Sequence, residues 1–301
     1  MKLTKIASMV MTSATVLSTV AVATPAIIQA KTQEGNAKMN GGKALPDTNH
    51  STVGIGFSQD QDAKPNPNPD NPNKPDDGVG YLRLQYVPAV LDFGSHTKFD
   101  PAAPIFTAAG MNLNSTGNDV HPGYAGADNQ TPKLSTTDPD LDNVKGKTWV
   151  TVIDKQRDRT DTDDKSDSHS GDWQLSVKAD GPLTTGSGAS AKTITGAKLA
   201  FNNTAAGHTA NVFGLTGNNA DKNFSNDVTW LADNVIKNLT VNLAADSTAV
   251  QVATAKATTG SGAEVFAWDP KDIQLSLPTD ANIAAGTYTT SLTWTLSTGI
   301  K

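Results

Sequence analysis

The sequence predicts an all-β protein: a β-sandwich or jelly-roll-like domain of about ten short strands, with long loops. Three observations carry that expectation. Apolar and polar residues alternate over short runs, the period of a strand with one buried face. These runs are separated by clusters of Gly, Asn, Asp and Pro at hairpin-like spacing, the pattern of a sandwich. No long stretch repeats its apolar residues at the helical period.

The chain opens on an export signal, residues 1–30. Lys2 and Lys5 supply the positive start, Ile6 to Ala23 the apolar and small-residue core, and Pro25 a helix break. Ala30 offers a small residue for cleavage, with earlier cuts after Ala23 or Ala26 as alternatives. No later stretch is apolar for the roughly 18 residues of a membrane span. Removing residues 1–30 leaves 271 of the 301 residues. Two lysines go with them and no acid, which moves the net charge from −6 to −8. An acidic chain argues against nucleic acid, which needs a basic face. It argues equally against holding an anionic wall polymer by bulk charge. There is no cysteine, so an exported domain must hold itself by its core and not by disulfides. That usage fits a Gram-positive source.

Residues 31–58 form a polar N-terminal segment in which Val53, Ile55 and Phe57 mark a short strand. Residues 59–79 carry proline at nearly every second position, which favours an extended linker or surface loop. The main domain is expected over 80–301. Leu82, Leu84 and Tyr86 alternate with Arg83 and Gln85, and Val90-Leu91-Asp92-Phe93-Gly94 follows Pro88. Residues 95–143 are loop-rich, with Met111-Asn112-Leu113 the best short strand. Thr148 to Ile153 is a strand, and the charged run Asp154 to Asp172 leads into Trp173-Gln174-Leu175-Ser176-Val177-Lys178, so the two look like a hairpin with a long charged tip. Further strands are expected at Thr193 to Phe201, Leu239 to Leu243, Gly262 to Trp268 and Asp272 to Leu277, the last two joined by a tight Asp269-Pro270 turn. Val228 to Lys237, with Trp230, reads as strand or helical turn. Gly286 runs unbroken into Leu292-Thr293-Trp294-Thr295-Leu296-Ser297, whose apolar residues share one face.

The pattern resembles the WxL family of Gram-positive surface proteins, named for two Trp-x-Leu motifs. Here these are Trp173-Gln174-Leu175 and Trp294-Thr295-Leu296, the second close to the C-terminus. Leu82-Arg83-Leu84-Gln85-Tyr86-Val87-Pro88, Leu91-Asp92-Phe93-Gly94, Gly196-Ala197-Lys198-Leu199 and Gly286-Thr287-Tyr288 also resemble the family, as does the export signal. The resemblance implies non-covalent attachment to the cell wall by binding peptidoglycan. It also implies neighbouring surface proteins, including a WxL-interacting partner. Only about fifty residues precede Tyr81, so the chain looks like a stand-alone WxL domain.

The motif residues Trp173, Leu175, Trp294 and Leu296, with Trp149 and Tyr288 as supporting aromatics, allow two readings. In one, the rings fill the core, each removing roughly 150–250 Å² from water, or about 4–6 kcal/mol at about 25 cal/mol per Å². In the other, they lie exposed against glycan or a protein partner. The alternation favours the core, because the hydroxyl face of each strand would then meet water.

Other motifs are weaker. Asp138-x-Asp140-x-Asp142 and Asp161-x-Asp163 begin like a calcium loop but lack its glycine, and the positions that should ligate hold Trp149 or Lys165. A solvated tip is the preferred reading, and no metal or cofactor is expected. Leu45-Pro46-Asp47-Thr48-Asn49 resembles a sortase signal without the apolar tail it needs. No nucleophile-elbow or zinc-protease motif is present. His50, His96, His121, His169 and His208 sit in polar surroundings and read as surface residues, so no catalytic residue is assigned. The expected function is a secreted, cell-surface binding protein held on peptidoglycan. The alternative is an adhesin or structural subunit that binds a host extracellular ligand or a partner surface protein through exposed edge strands.

Overall fold

The computed structural model describes residues 40–41, 43, 45–57, 80–113, 121–126, 128–156, 172–222, 224, 231–256 and 259–298. The expected export signal, the Pro-rich stretch 59–79, Asp161, Asp163, Lys165, His169 and Trp230 lie outside these residues. Sixteen strands are described, in three sheets. The first runs in the order β11 (Asn234–Val235), β13 (Val250–Ala255), β6 (Trp173–Ala179), β16 (Gly286–Ser297), β1 (Asp47–Phe57), β3 (Val90–His96), with β7 (Leu183–Thr185) on β16 and β8 (Lys192–Ile194) on β7. The second is β10 (Ala205–Thr209), β14 (Gly262–Trp268), β5 (Thr148–Asp154), β2 (Leu82–Tyr86). The third is β12 (Leu239–Asn242), β9 (Lys198–Phe201), β15 (Ile273–Ser276), β4 (Ile105–Thr107).

The main core lies between the first sheet and the other two. Ile55, Leu91, Leu175 and Trp294 from the first sheet join Leu84, Val152, Phe266 and Trp268 from the second and Leu199, Phe201 and Leu275 from the third. Ring contacts cross the gap: Trp173 meets Phe266 edge-on at 6.2 Å, and Phe201 meets Trp294 at 5.8 Å. This is a sandwich-like arrangement, as the sequence predicts. The strand count exceeds the expected ten: β4, β7, β8 and β11 are two or three residues long, too short for alternation to register, and β10 and β13 lie outside the expected strands.

β16 is the centre of the first sheet. It pairs antiparallel with β1 along the whole of β1, from Asp47 opposite Leu296 to Phe57 opposite Gly286. Its other edge pairs with β6. β1 begins five residues earlier than Thr52, where the sequence places it, because Asp47 to Ser51 continue the ladder with β16. The sortase-like stretch is built into this start: Leu45 is buried, and the Asp47 carboxylate accepts the Leu84 N–H at 2.7 Å and pairs with Lys43 at 3.1 Å. β3 lies parallel to β1. Its buried Asp92 accepts the N–H groups of Gly94, Tyr124 and Gln130, each at 2.9 Å, and so ties down the long loop that follows.

Two expectations are corrected and two are refined. The Thr148 to Ile153 strand and the Trp173 strand are not a hairpin: β5 lies in the second sheet and β6 in the first. β5 is buried along all seven residues, which requires packing on both faces, whereas β6 alternates. The intervening run is far longer than the roughly two to five residues of a hairpin loop and carries the chain between sheets. The strand placed at Met111–Leu113 reduces to an isolated bridge from Asn112 to Phe106 in β4. In Val228 to Lys237, only Asn234–Val235 forms a described strand, paired with β13. The Asp269-Pro270 turn is a one-turn 3₁₀ helix, Pro270–Asp272, capped by the Asp269 carboxylate.

Deleting residues 292–301 removes half of β16 and the ladder that β1 and β6 share. The truncated chain is expected to lose its β-sheet circular dichroism and its cooperative thermal transition. A truncated protein that still melts cooperatively would contradict the central role of this strand.

Candidate functional site

The two Trp-x-Leu segments are neighbours. On the β6–β16 ladder Leu296 stands opposite Leu175, and Trp294 opposite Val177. The antiparallel register therefore puts the two tryptophans at opposite ends of one leucine pair, on one face. Trp173, Leu175, Trp294 and Leu296 are all fully buried. Each indole N–H finds an acceptor: Trp294 donates to Ser51 Oγ at 2.8 Å and Trp173 to the Gly260 carbonyl at 3.2 Å. Gly260 has φ of +69°, and a Cβ there would lie 2.8 Å from Trp173 Nε1, so the position requires glycine. Tyr288 is buried as well; its hydroxyl donates to the Ala284 carbonyl at 3.2 Å. Of the aromatic residues singled out from sequence, Trp149 alone stands apart from this core.

Trp149 lies on the outer face of the second sheet, the face turned away from the first. Its ring stacks on Tyr86, with centroids 4.0 Å apart and planes 7° from parallel. Tyr86 reaches that face through a bulge. The β2–β5 register shifts between Leu84 and Tyr86, so the regular alternation that would group Tyr86 with Leu82 and Leu84 is broken. Leu82 and Leu84 join the main core, whereas Tyr86 joins Trp149, Leu134, Leu141, Val144, Val265 and Ala267 in a second cluster.

A cleft of about 560 Å³ opens on this face. Its floor is Gln85, Tyr86, Trp149 and Thr151 from β2 and β5. One wall is the segment Leu134–Pro139, held by the Leu134 N–H on the Lys147 carbonyl and the Gly146 N–H on the Leu134 carbonyl, both at 2.8 Å. The other is Asn211, Gly214 and Leu215, at the short helix α1 (Val212–Thr216), whose first turn the Asn211 side chain caps. The sequence marks Trp149 but neither wall. The signals present are local ones: hydroxyls crowd Ser135-Thr136-Thr137 before an Asp-Pro turn, and Asn211-x-x-Gly214 has a capping pattern.

A buried ionic network fixes the helical wall. Asp221, 1 % exposed, accepts from Arg83 Nη2 at 2.7 Å, Lys155 Nζ at 3.2 Å and Thr216 Oγ1 at 2.6 Å. Arg83 also donates from Nε to Gln85 at 2.6 Å. Arg83 reads from sequence as the solvent side of its strand; it is buried because the 211–222 segment covers it. Burial lowers the Arg83 pKa, and the Asp221 charge opposes that shift.

The expectation that the histidines lie at the surface is corrected for two of them. His96 is buried, with Nε2–H donating to the Phe93 carbonyl at 2.8 Å and its ring 4.6 Å from Phe106. Burial pushes its imidazole down to about 4. His208 is largely buried beside fully buried Glu264, with Nδ1 to Oε1 at 3.0 Å. Burial raises the Glu264 carboxyl, and the His208 hydrogen bond pulls it back. Neither pair lines the cleft. Asp138, first of the acids that begin like a calcium loop, caps a 3₁₀ helix: it accepts from the Asp140 N–H at 3.0 Å and from Thr209 Oγ1 at 2.8 Å. Among the described residues no group of three or more His, Asp or Glu side chains is placed to hold a metal ion, and no helix is long and apolar enough to cross a membrane.

A family model described as "WxL domain surface cell wall-binding" matches residues 44–299. No curated protein and no solved structure matches the chain.

Two outcomes follow from these burials. Asp221→Asn leaves Arg83 and Lys155 without their counter-charge, and is expected to cost about 3 kcal/mol in urea denaturation. His96 contributes stability that is fully present above its unfolded pKa of about 6.5. That stability is lost as pH falls from there through about 4, a change of about 3 kcal/mol. His96→Phe is expected to flatten the pH dependence of Tm across that window. The raised Glu264 is common to both proteins and cancels in the comparison.

Proposed function

The chain belongs to the WxL domain family of surface cell wall-binding proteins, and on that premise we propose that it is a secreted protein held non-covalently on the Gram-positive wall by binding peptidoglycan. The observation that supports this reading is where the fold places its polar aromatic surface. The signature tryptophans are enclosed in the core, so they act by building the platform. The face open to a ligand is the outer side of the second sheet, where a cleft offers an aromatic floor between hydroxyl- and amide-bearing walls. A net charge of −6 adds repulsion at an anionic wall, so attachment rests on short-range contacts and not on bulk charge. A binding role is the reading the cleft supports; the buried His208–Glu264 pair lies outside its lining.

Co-sedimentation with purified, teichoic-acid-free peptidoglycan tests the reading. Retention is expected, and it should persist in wall preparations that keep their teichoic acid. No retention on the purified polymer would exclude direct binding and favour a host ligand or a partner surface protein. Trp294→Ala is expected to lower Tm and retention together, because truncating a buried tryptophan costs about 3–5 kcal/mol. Lost retention with an unchanged Tm would instead place the ring against the ligand.

A further inference from the structure

We propose that the cleft on the outer face of the second sheet is a subsite for an uncharged, N-acetylated saccharide, the chemistry of a glycan strand and not of a stem peptide or a phosphate polymer. This inference rests on the wall-binding reading above and names the part of the wall that is held.

Size is the first argument. The cleft encloses about 560 Å³, within the roughly 300–1,000 Å³ of small-molecule sites. Charge is the second. Among the described residues, Asp138 is the one ionisable carboxylate of the lining, and no Lys, Arg or His lines the cleft. A phosphate or carboxylate entering here would meet a carboxylate with no cation to offset it. Arg83 of β2 and Lys155, just past the end of β5, are already committed to Asp221. The ligand that fits is neutral.

Its polarity follows from the walls. Thr136, Thr137 and Thr151 present hydroxyls, and Asn211 adds its side-chain N–H, its oxygen being taken by the Gly214 N–H as the Gln85 oxygen is by Arg83. The hydroxyls both donate and accept, which suits sugar hydroxyls that do the same. Leu134 and Leu215 flank the aromatic floor and supply apolar contact for a pyranose ring edge and an acetamido methyl. Recognition by a mostly apolar floor with a few convergent polar groups is the usual construction of such a site.

Tyr86 gives the third argument. Its ring lines the cleft, and its buried hydroxyl has no hydrogen-bond partner among the described residues. Burial raises its pKa, so the phenol stays protonated and remains a donor. A buried donor left unpaired is costly. A saccharide oxygen or acetamido carbonyl in the cleft would supply the missing acceptor. Both walls are fixed before any ligand arrives, one by the Leu134–Lys147 pairing and the other by Asp221. Binding therefore orders little of the protein.

The test titrates triacetylchitotriose into the full chain by calorimetry, with Tyr86→Phe and Thr137→Trp alongside. The wild type should bind saturably. Tyr86→Phe removes a hydroxyl that has no partner in the free protein, so Tm should stay level or rise while affinity falls about three- to tenfold. A purely structural tyrosine would not separate those two readouts. Thr137 is exposed at the mouth, so Thr137→Trp should fold normally and abolish binding. Poly(glycerol phosphate) should give no heat. Absence of heat with the trisaccharide, equal affinity in both variants, or preference for the phosphate polymer would overturn the subsite. Sedimentation with peptidoglycan, run on the same proteins, separates the two levels. Undiminished retention of Thr137→Trp removes the cleft and leaves wall binding standing. A wild type that binds the trisaccharide but not peptidoglycan keeps the cleft and removes the wall reading.

Discussion

An indole N–H enclosed in an apolar core costs free energy unless it finds an acceptor, and three tryptophans that pack between the sheets of this protein meet that constraint. Trp294 on β16 reaches Ser51 on β1; Trp173 on β6 reaches the backbone at Gly260; Trp268 on β14 reaches Thr204 Oγ1 at 2.9 Å. Each bond joins segments distant in sequence. The rings touch as well, Trp268 lying 4.9 Å from Phe201 and 6.2 Å from Trp294. A shift of one sheet against another would break the ring contacts and the Trp173–Gly260 bond, whereas Trp294–Ser51 and Trp268–Thr204 hold each indole to its own sheet. With no cysteine in the chain, this shared core does the work that disulfides do in smaller exported domains.

The second sheet has a different problem. Its inner face belongs to the main core, yet its outer face is also largely covered. Two smaller apolar clusters sit there: one around Trp149 and Leu141, the other around Ile153, Val212 and Phe224. The coverings are loops and a five-residue helix, which bury little apolar area of their own. Polar anchoring compensates, with Asp221 binding Arg83, Lys155 and Thr216 beneath α1. The cleft is the seam that these two coverings leave between them. Its rigidity is a consequence of how the sheet is closed over, before any ligand is considered.

The all-β class and the apolar faces of the two Trp-x-Leu strands were legible in the sequence, because period-two alternation survives where one strand face stays wet. β16 and β6 keep that alternation. β5 and β14 are buried along their whole length, so alternation says nothing about which sheet they join, and the apparent hairpin from β5 to β6 dissolves. β2 misleads in a second way. Its alternation is real in sequence but interrupted in space by the bulge at Gln85, which sends Tyr86 outward. Arg83 looked solvated because no local pattern announces that Asp221, 138 residues later, will cover it. His96 looked exposed for the same reason, since its neighbours Phe57 and Phe106 come from other strands. What escaped was contact between remote segments, and the cleft is made almost entirely of such contact.

A signature that fills a core and a surface that meets the wall place different demands on a sequence. Trp173, Leu175, Trp294 and Leu296 are constrained by packing density and by the register of one ladder, so their spacing is stereotyped and easy to find. In the proposed reading the cleft residues answer also to a ligand, and they come from four separate segments with no fixed spacing among them. That asymmetry explains why a motif can identify the family without pointing to the contact. It also bears on how an acidic protein stays on an anionic surface. Repulsion between like charges acts over about a Debye length, roughly 8 Å at physiological salt, whereas hydrogen bonds and apolar contact act only on touching. A neutral ligand adds no charge penalty at the point of contact.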